Sequence, residues 1–191
     1  MKFKIIWKSS RAVCIELVEE GIVYTDNYTV FIDGEPMLTS DRVVQSIYGL
    51  KPDTEYRLTL SRGDHTSVEM TFRTEPEFVT LNVRDFGAMG DDVHNDTLAI
   101  QAAILSCPPH SRVYVPEGIY KVSSLFMKSG IVFELGKGAV LSAYTDRTYF
   151  PILPGLIQSY DEESEYNLAS WEGNPLDSFA SIITGIGVSD V

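Results

Sequence analysis

Cysteine is nearly absent from this sequence: Cys14 and Cys107 are the only two in 191 residues, and they lie far apart. Two isolated thiols make neither a disulfide framework nor a metal cluster, so both read as small core residues. Histidine is as sparse, and His65, His94 and His110 show no metal-ligand spacing. Basic charge is also short. Fifteen Lys and Arg face 27 Asp and Glu, a net charge of −12, which argues against nucleic acid or an anionic membrane surface as a partner. No apolar run approaches the roughly 20 residues of a membrane span. The opening MKFKIIWKSS has three consecutive apolar residues before Lys8, too few for a signal-peptide core. The expectation is a cytoplasmic chain, or a secreted one if its true start is missing. No glycine-rich loop has nucleotide-binding spacing, so no cofactor is expected.

What is present is ordinary for a globular protein, with 44% hydrophobic and 22% charged residues. The acidity is uneven. Residues 1–76 hold nine bases and twelve acids, and residues 77–191 hold six and fifteen. This shift predicts two domains, 1–76 and 79–191, joined by Thr74-Glu75-Pro76-Glu77 as a short stiff linker, because proline restricts its own backbone and its predecessor's.

Strict alternation dominates residues 1–76. Phe3, Ile5 and Trp7 are predicted to share one face, as are Val13, Ile15 and Leu17, then Val30 and Ile32. Asp33-Gly34 supplies a tight hairpin turn. Tyr56, Leu58 and Leu60, then Val68, Met70 and Phe72, continue the pattern. Period-two strands separated by turns predict a sandwich of two antiparallel sheets. Within it, GLKPDTEYRL (Gly49 to Leu58) resembles the tyrosine corner of fibronectin type III domains, in which a ring hydroxyl bonds back to the backbone. Such a module is expected to be a spacer or platform, with carbohydrate binding as the alternative.

Residues 85–104 read DFGAMGDDVHNDTLAIQAAI and pose the main question. Asp91, Asp92, His94 and Asp96 are either an active site or a piece of architecture. The preceding VTLNVRDFGA is strand-like and leads into a turn on Gly87 and Gly90. Asn95 or Asp96 is placed to cap the helix TLAIQAAILS, in which Ile100 and Ile104 are four apart. Acidic residues near a helix start are favoured by its dipole. Architecture is therefore a sufficient explanation for all three aspartates. After the helix, short strands broken by Gly118, Gly130, Gly136 and Gly138 fit rungs of a solenoid better than hairpins. An end of such a stack exposes apolar side chains, and the helix is a natural lid for it.

Four stretches then carry a family resemblance: NVRDFGAMGDD, NDTLAIQAAI, VYVPEGIY and LFMKSGIVFELGKGAVLSAYTD. In this order, with SFASIITGIGVSDV following, they resemble the N-terminal part of glycoside hydrolase family 28, the polygalacturonases. The first three are shared more broadly among pectate-lyase-like β-helix proteins. The implied fold is all-β: a fibronectin type III-like sandwich, then the capped start of a right-handed parallel β-helix that stops early. The implied activity is inverting hydrolysis of α-1,4-galacturonan in pectin, with exo action suggested by the preceding module. Polygalacturonate or oligogalacturonides would be the partners of the full-length protein.

Inverting hydrolysis takes one carboxylic acid to protonate the leaving oxygen and one carboxylate to activate water, roughly 6.5–9.5 Å apart. The resemblance implies that these come from Asn-Thr-Asp and Asp-Asp motifs, with Gly-His-Gly and Arg-Ile-Lys nearby. None is in place. The chain has Asn95-Asp96-Thr97 in a different order, Asp91-Asp92 before the helix, and no Arg-Ile-Lys. Catalytic residues are therefore expected beyond Val191, and this chain alone is expected to be inactive. Tyr144 to Phe179 reads as a long insertion between rungs, with Tyr149, Phe150, Tyr160, Tyr166, Trp171 and Phe179 beside the acidic Asp161-Glu162-Glu163. Rings of this kind cover a solenoid or stack on sugars, and Trp171 is the candidate substrate contact. The alternatives are a β-helix lyase or other depolymerase, and a non-enzymatic carbohydrate-binding or scaffold module.

Overall fold

The computed structural model describes residues 2–18, 24–63, 66–155, 169–171 and 174–191; within these, the side chains of Tyr24, Thr66, Ser170 and Trp171 lie outside the description. The chain divides into two compact units, Met1–Glu77 and Phe78–Val191.

The first unit contains strands β1 (Phe3–Lys8), β2 (Ala12–Leu17), β3 (Tyr24–Ile32), β4 (Glu35–Arg42), β5 (Val44–Tyr48), β6 (Glu55–Arg62) and β7 (Thr66–Arg73). They form an antiparallel β1-β2-β5 sheet and an antiparallel β4-β3-β6-β7 sheet. Val13, Ile15, Leu17 and Ile47 from the first meet Val30, Ile32, Leu58, Leu60 and Phe72 from the second in one core. Asp33 and Gly34 both take positive φ, 51° and 89°, as a two-residue β3–β4 turn requires. The tyrosine corner is formed: the Tyr56 hydroxyl accepts a 2.8 Å hydrogen bond from the Lys51 N–H. This is an all-β sandwich of the fibronectin type III kind.

Two details differ from the alternation pattern. Trp7 was expected inside with Phe3 and Ile5, yet it is 49% exposed. The β1–β2 register shifts between Ile5 and Trp7, and a bulge of one residue sends every later side chain to the other face. Thr74–Glu77 is stitched to the sandwich rather than strung out as a linker. Thr74 is buried and its hydroxyl donates to the Lys51 carbonyl, the Glu75 N–H donates to the Ser9 carbonyl, and the Glu77 carboxylate accepts from Ser10 and Arg11.

The second unit begins with β8 (Thr80–Asn82), a 3-10 turn (Val83–Phe86) and β9 (Asp91–Asn95), followed by helix α1 (Thr97–Ser106). Strands β10 (Ser111–Val115), β11 (Gly118–Val122) and β12 (Leu125–Phe126) make the next coil. The coil after that uses β13 (Ile131–Leu135), β14 (Ala139–Ala143) and, much later, β19 (Ile183–Thr184). Between β14 and β19 lie β15 (Ile152–Leu153), β16 (Ser170–Trp171), β17 (Asn174–Pro175) and β18 (Ser178–Phe179).

All the coil-to-coil pairings are parallel. Ser111 stacks on Ile131, Gly118 on Ala139 and Leu125 on Ile183. The first two offsets are about 20 residues, one turn of a solenoid. The third is far longer, so the insertion lies inside a coil, between its second and third strands, and not between coils. Parallel stacking buries Val113, Val115, Tyr120, Val122, Leu125 and Ile131 in one continuous interior, which is why these strands are apolar at alternate positions.

Helix α1 closes the first coil, where a third strand would otherwise stand. Ile100, Ala103 and Ile104 enter the interior, all fully buried. The polar part of the lid is equally specific. The Gln101 side-chain amide donates to the Phe126 carbonyl at 2.9 Å and accepts from the Phe126 N–H at 2.8 Å, imitating a neighbouring strand on β12. The Thr97 hydroxyl accepts from the Ser123 N–H. At the other helix end, the Lys128 ammonium donates to the carbonyls of Leu105 and Cys107, placing a cation where the dipole favours one.

Candidate functional site

The acidic stretch sits on the first coil, beside the lid. Asn82 caps the 3-10 turn by accepting from the Arg84 N–H, and Gly87 ends it with φ 97°. Arg84 then reaches back: its guanidinium donates to the carbonyls of Met89 (2.8 Å) and Glu117 (2.9 Å) and lies 5.7 Å from the centroid of the buried Tyr120 ring. The coils meet tightly here. A Cβ on Gly90 would come within 2.8 Å of the Tyr120 ring, and one on Gly118 within 2.8 Å of the Gly90 carbonyl. Glycine at both positions is a packing requirement.

Asp96 is 1% exposed, and its two oxygens accept from the N–H groups of Met89 (2.6 Å) and Gly90 (3.0 Å). It therefore ties the loop to the helix start and is not itself the side-chain cap. Asn95 takes that part, accepting from the Thr97 N–H at 3.0 Å. Asp91 folds over its own turn. One oxygen accepts from the N–H groups of Val93 and His94, and the other lies 2.7 Å from the His94 Nδ1. The backbone bonds from His94 and Val93, then the imidazole contact, pull its pKa down to about 2. Asp92 is exposed with φ 61°.

In this arrangement Asp91, Asn95 and Asp96 hold the loop and the helix start together. A glycosidic acid needs a raised pKa to hold its proton near neutrality. The carboxyls of Asp53, Asp91 and Asp146 are all shifted downward. Asp96 is occupied by two backbone donors, and the Asp91–His94 pair is exposed, with no third group on the ring among the described residues. Among the described residues no group of three His, Cys, Asp or Glu could hold a metal ion. For Asp91 the expected titration follows from the depressed value. The group stays ionised above its unfolded range near 4, and its bonding to the turn is lost only as pH falls through about 2. Carboxyl-detected NMR is expected to find Asp91 still charged at about pH 3; a midpoint near the unfolded value would remove the turn bonding.

The insertion carries the aromatic candidates. Trp171 lies on β16, which pairs with β17 through Trp171 and Asn174, but its side chain is outside the described residues, as are Tyr160, Tyr166 and Asp161-Glu162-Glu163. The described part brings together residues that the sequence pattern did not group. Tyr144 and Tyr149 stack with ring centroids 4.0 Å apart and planes 10° from parallel. The Lys121 ammonium is 5.7 Å from the Tyr144 centroid, and the Arg147 guanidinium is 6.0 Å from that of Phe179. Asp146 caps the 3-10 turn Arg147–Tyr149 by accepting from the Thr148 N–H and hydroxyl, and β15–β18 pairing fixes Phe179 opposite Ile152. The sequence signal was the string AYTDRTYF, but Lys121 joins it only through the stacking of β11 on β14.

Sandwich and capped coil together define the architecture: the capped start of a parallel β-helix preceded by a fibronectin type III-like module. Residues 80–149 match the family described as Rhamnogalacturonase A/epimerase, pectate lyase-like. The chain is 32% identical over 111 residues to an exo-poly-alpha-D-galacturonosidase of Dickeya chrysanthemi, covering 54% of this chain and 18% of that protein. The Family 28 exopolygalacturonase of Yersinia enterocolitica shares the fold, with a TM-score of 0.66 at 23% identity over 97% of this chain and 37% of that one. The resemblance to the N-terminal portion of glycoside hydrolase family 28 thus rests on sequence and fold together. A mannuronan C5-epimerase, AlgE1 of Azotobacter vinelandii, is 54% identical over 44 residues, 22% of this chain and 3% of the epimerase. The chain spans well under half the length of each of these relatives.

Proposed function

We propose that this chain is the N-terminal portion of a polygalacturonase-type glycoside hydrolase, exo-acting on α-1,4-galacturonan, whose acid and base lie outside the 191 residues. The observation that carries this reading is the lid-and-coil unit itself, with the matching motifs running in family order from Asn82 to Val191. The sandwich and lid supply a platform and a closed end. Catalysis then needs two carboxyls across a water-sized gap, and Asp91 and Asp96 are committed to backbone donors. Trp171 is proposed as a sugar-stacking contact of the insertion.

One experiment tests it in a longer protein carrying this chain. Proton NMR of oligogalacturonate hydrolysis is expected to show the β-anomer of the released sugar first, because inversion at an α-linkage places water on the opposite face. The α-anomer first, or an unsaturated ultraviolet-absorbing product, would replace the reading by retention or by a lyase. In the same assay Trp171→Ala is expected to raise KM about tenfold with kcat little changed. An unchanged KM removes Trp171 from the substrate site.

A further inference from the structure

We infer that Lys121, Tyr144, Arg147, Tyr149 and Phe179 form a binding site for a uronic-acid unit of an oligosaccharide, at the described base of the insertion and apart from any catalytic pair. The inference rests on the proposed reading for its ligand class, but its geometry is independent of that reading.

Charge placement is the first argument. The second unit holds only six bases. Arg84 and Lys128 are bound to backbone carbonyls, and Arg112 donates to Glu134. Lys137 lies exposed in the β13–β14 turn. The remaining two, Lys121 and Arg147, have no carboxylate partner among the described residues and face aromatic rings instead. In a unit with such an excess of acids, two cations set against aromatic rings, with no carboxylate partner among the described residues, make a local site for an anion. A carboxylate on a sugar is recognised by such cations at close range, and an arginine fork fits it in two-point fashion.

The rings are the second argument. Tyr144 covers one face of Tyr149, yet Tyr149 remains 49% exposed. Phe179 is 44% exposed. A pyranose presents axial C–H bonds on one face and polar groups at its edge. A ring already held by stacking, on a turn capped by Asp146, offers a platform whose rotamer entropy is spent before the ligand arrives. Lys121 lies on β11, Tyr144 directly follows β14, Arg147 and Tyr149 share the capped 3-10 turn and Phe179 lies on β18, so strand pairing and a capped turn hold these groups.

The test uses the 191-residue chain with a trimer of α-1,4-linked galacturonic acid and, as the neutral comparison, the matching galactose trimer. Chemical-shift titration is expected to show the acidic trimer binding at least about tenfold tighter than the neutral one, and more weakly as salt rises. Arg147→Met or Lys121→Met is expected to cost the acidic trimer about tenfold and to leave the neutral one unchanged. Tyr149→Ala is expected to weaken both trimers, and Tyr149→Trp to restore them, which separates a lost platform from a lost fold. Equal affinity for the two trimers, no binding of either, or wild-type affinity in Arg147→Met and Lys121→Met overturns the inference. Failure of the broader reading looks different: the longer protein would leave galacturonan uncut while these shifts in the 191-residue chain persist.

Discussion

Replacing Asp96 by alanine is expected to weaken the β-helix unit by about 3 kcal/mol, seen as a roughly 100-fold loss of amide hydrogen-exchange protection at Ile100, Val113 and Val122. The carboxylate is almost fully buried and accepts from two backbone N–H groups. Bonds to a charged acceptor each stabilise by about 1.5–3 kcal/mol, and alanine would leave both donors without a partner in a closed site. The loop they belong to presses Gly90 against Tyr120, so its release also loosens the first coil-to-coil contact. The control is Asp92→Gly. Asp92 is exposed and holds φ 61°, where glycine is unstrained, so this change is expected to alter stability by less than about 1 kcal/mol. A large effect at Asp92 with none at Asp96 would reverse the roles assigned to these two aspartates. Hydrogen exchange is the suitable readout because the chain has two compact units, and a single unfolding midpoint need not describe both.

The contrast between these neighbours shows what the sequence could and could not disclose. Spacing alone indicated that Ile100 and Ile104 face inward, and they do, because a helix repeats its face every three to four residues. It also indicated that the acidic stretch is architectural. It did not say which aspartate does what, because that depends on the loop returning to the helix start across several residues. Gln101 is a sharper case. Nothing local marks a glutamine in a helix as a strand mimic; only β12, 25 positions later, gives its amide a partner. Trp7 was misplaced because a bulge leaves no trace in an alternating pattern. The position of the insertion within a coil follows from Leu125 pairing with Ile183, a contact that no periodicity reports. The Lys121–Tyr144 approach is likewise a product of coil stacking.

The similarity to an epimerase as well as to hydrolases bears on the same point. Proteins named for different chemistries share stretches of sequence with this chain, as expected if such stretches build a scaffold. Function is then decided by side chains placed on the scaffold elsewhere. In this chain Asp91 and Asp96, two carboxylates of the acidic stretch, are held by backbone donors.

The central claim is that these 191 residues supply architecture and substrate contacts while the reacting carboxyls lie elsewhere. The measurement that addresses it most directly is reducing-end release from polygalacturonate by the purified chain, folded as judged by protection of its α1 amides. The account predicts no release above the buffer background. Steady turnover in the ordinary enzymatic range of about 1 per second or more, abolished by Asp91→Asn or Asp92→Asn, would contradict it and make the acidic stretch the active site.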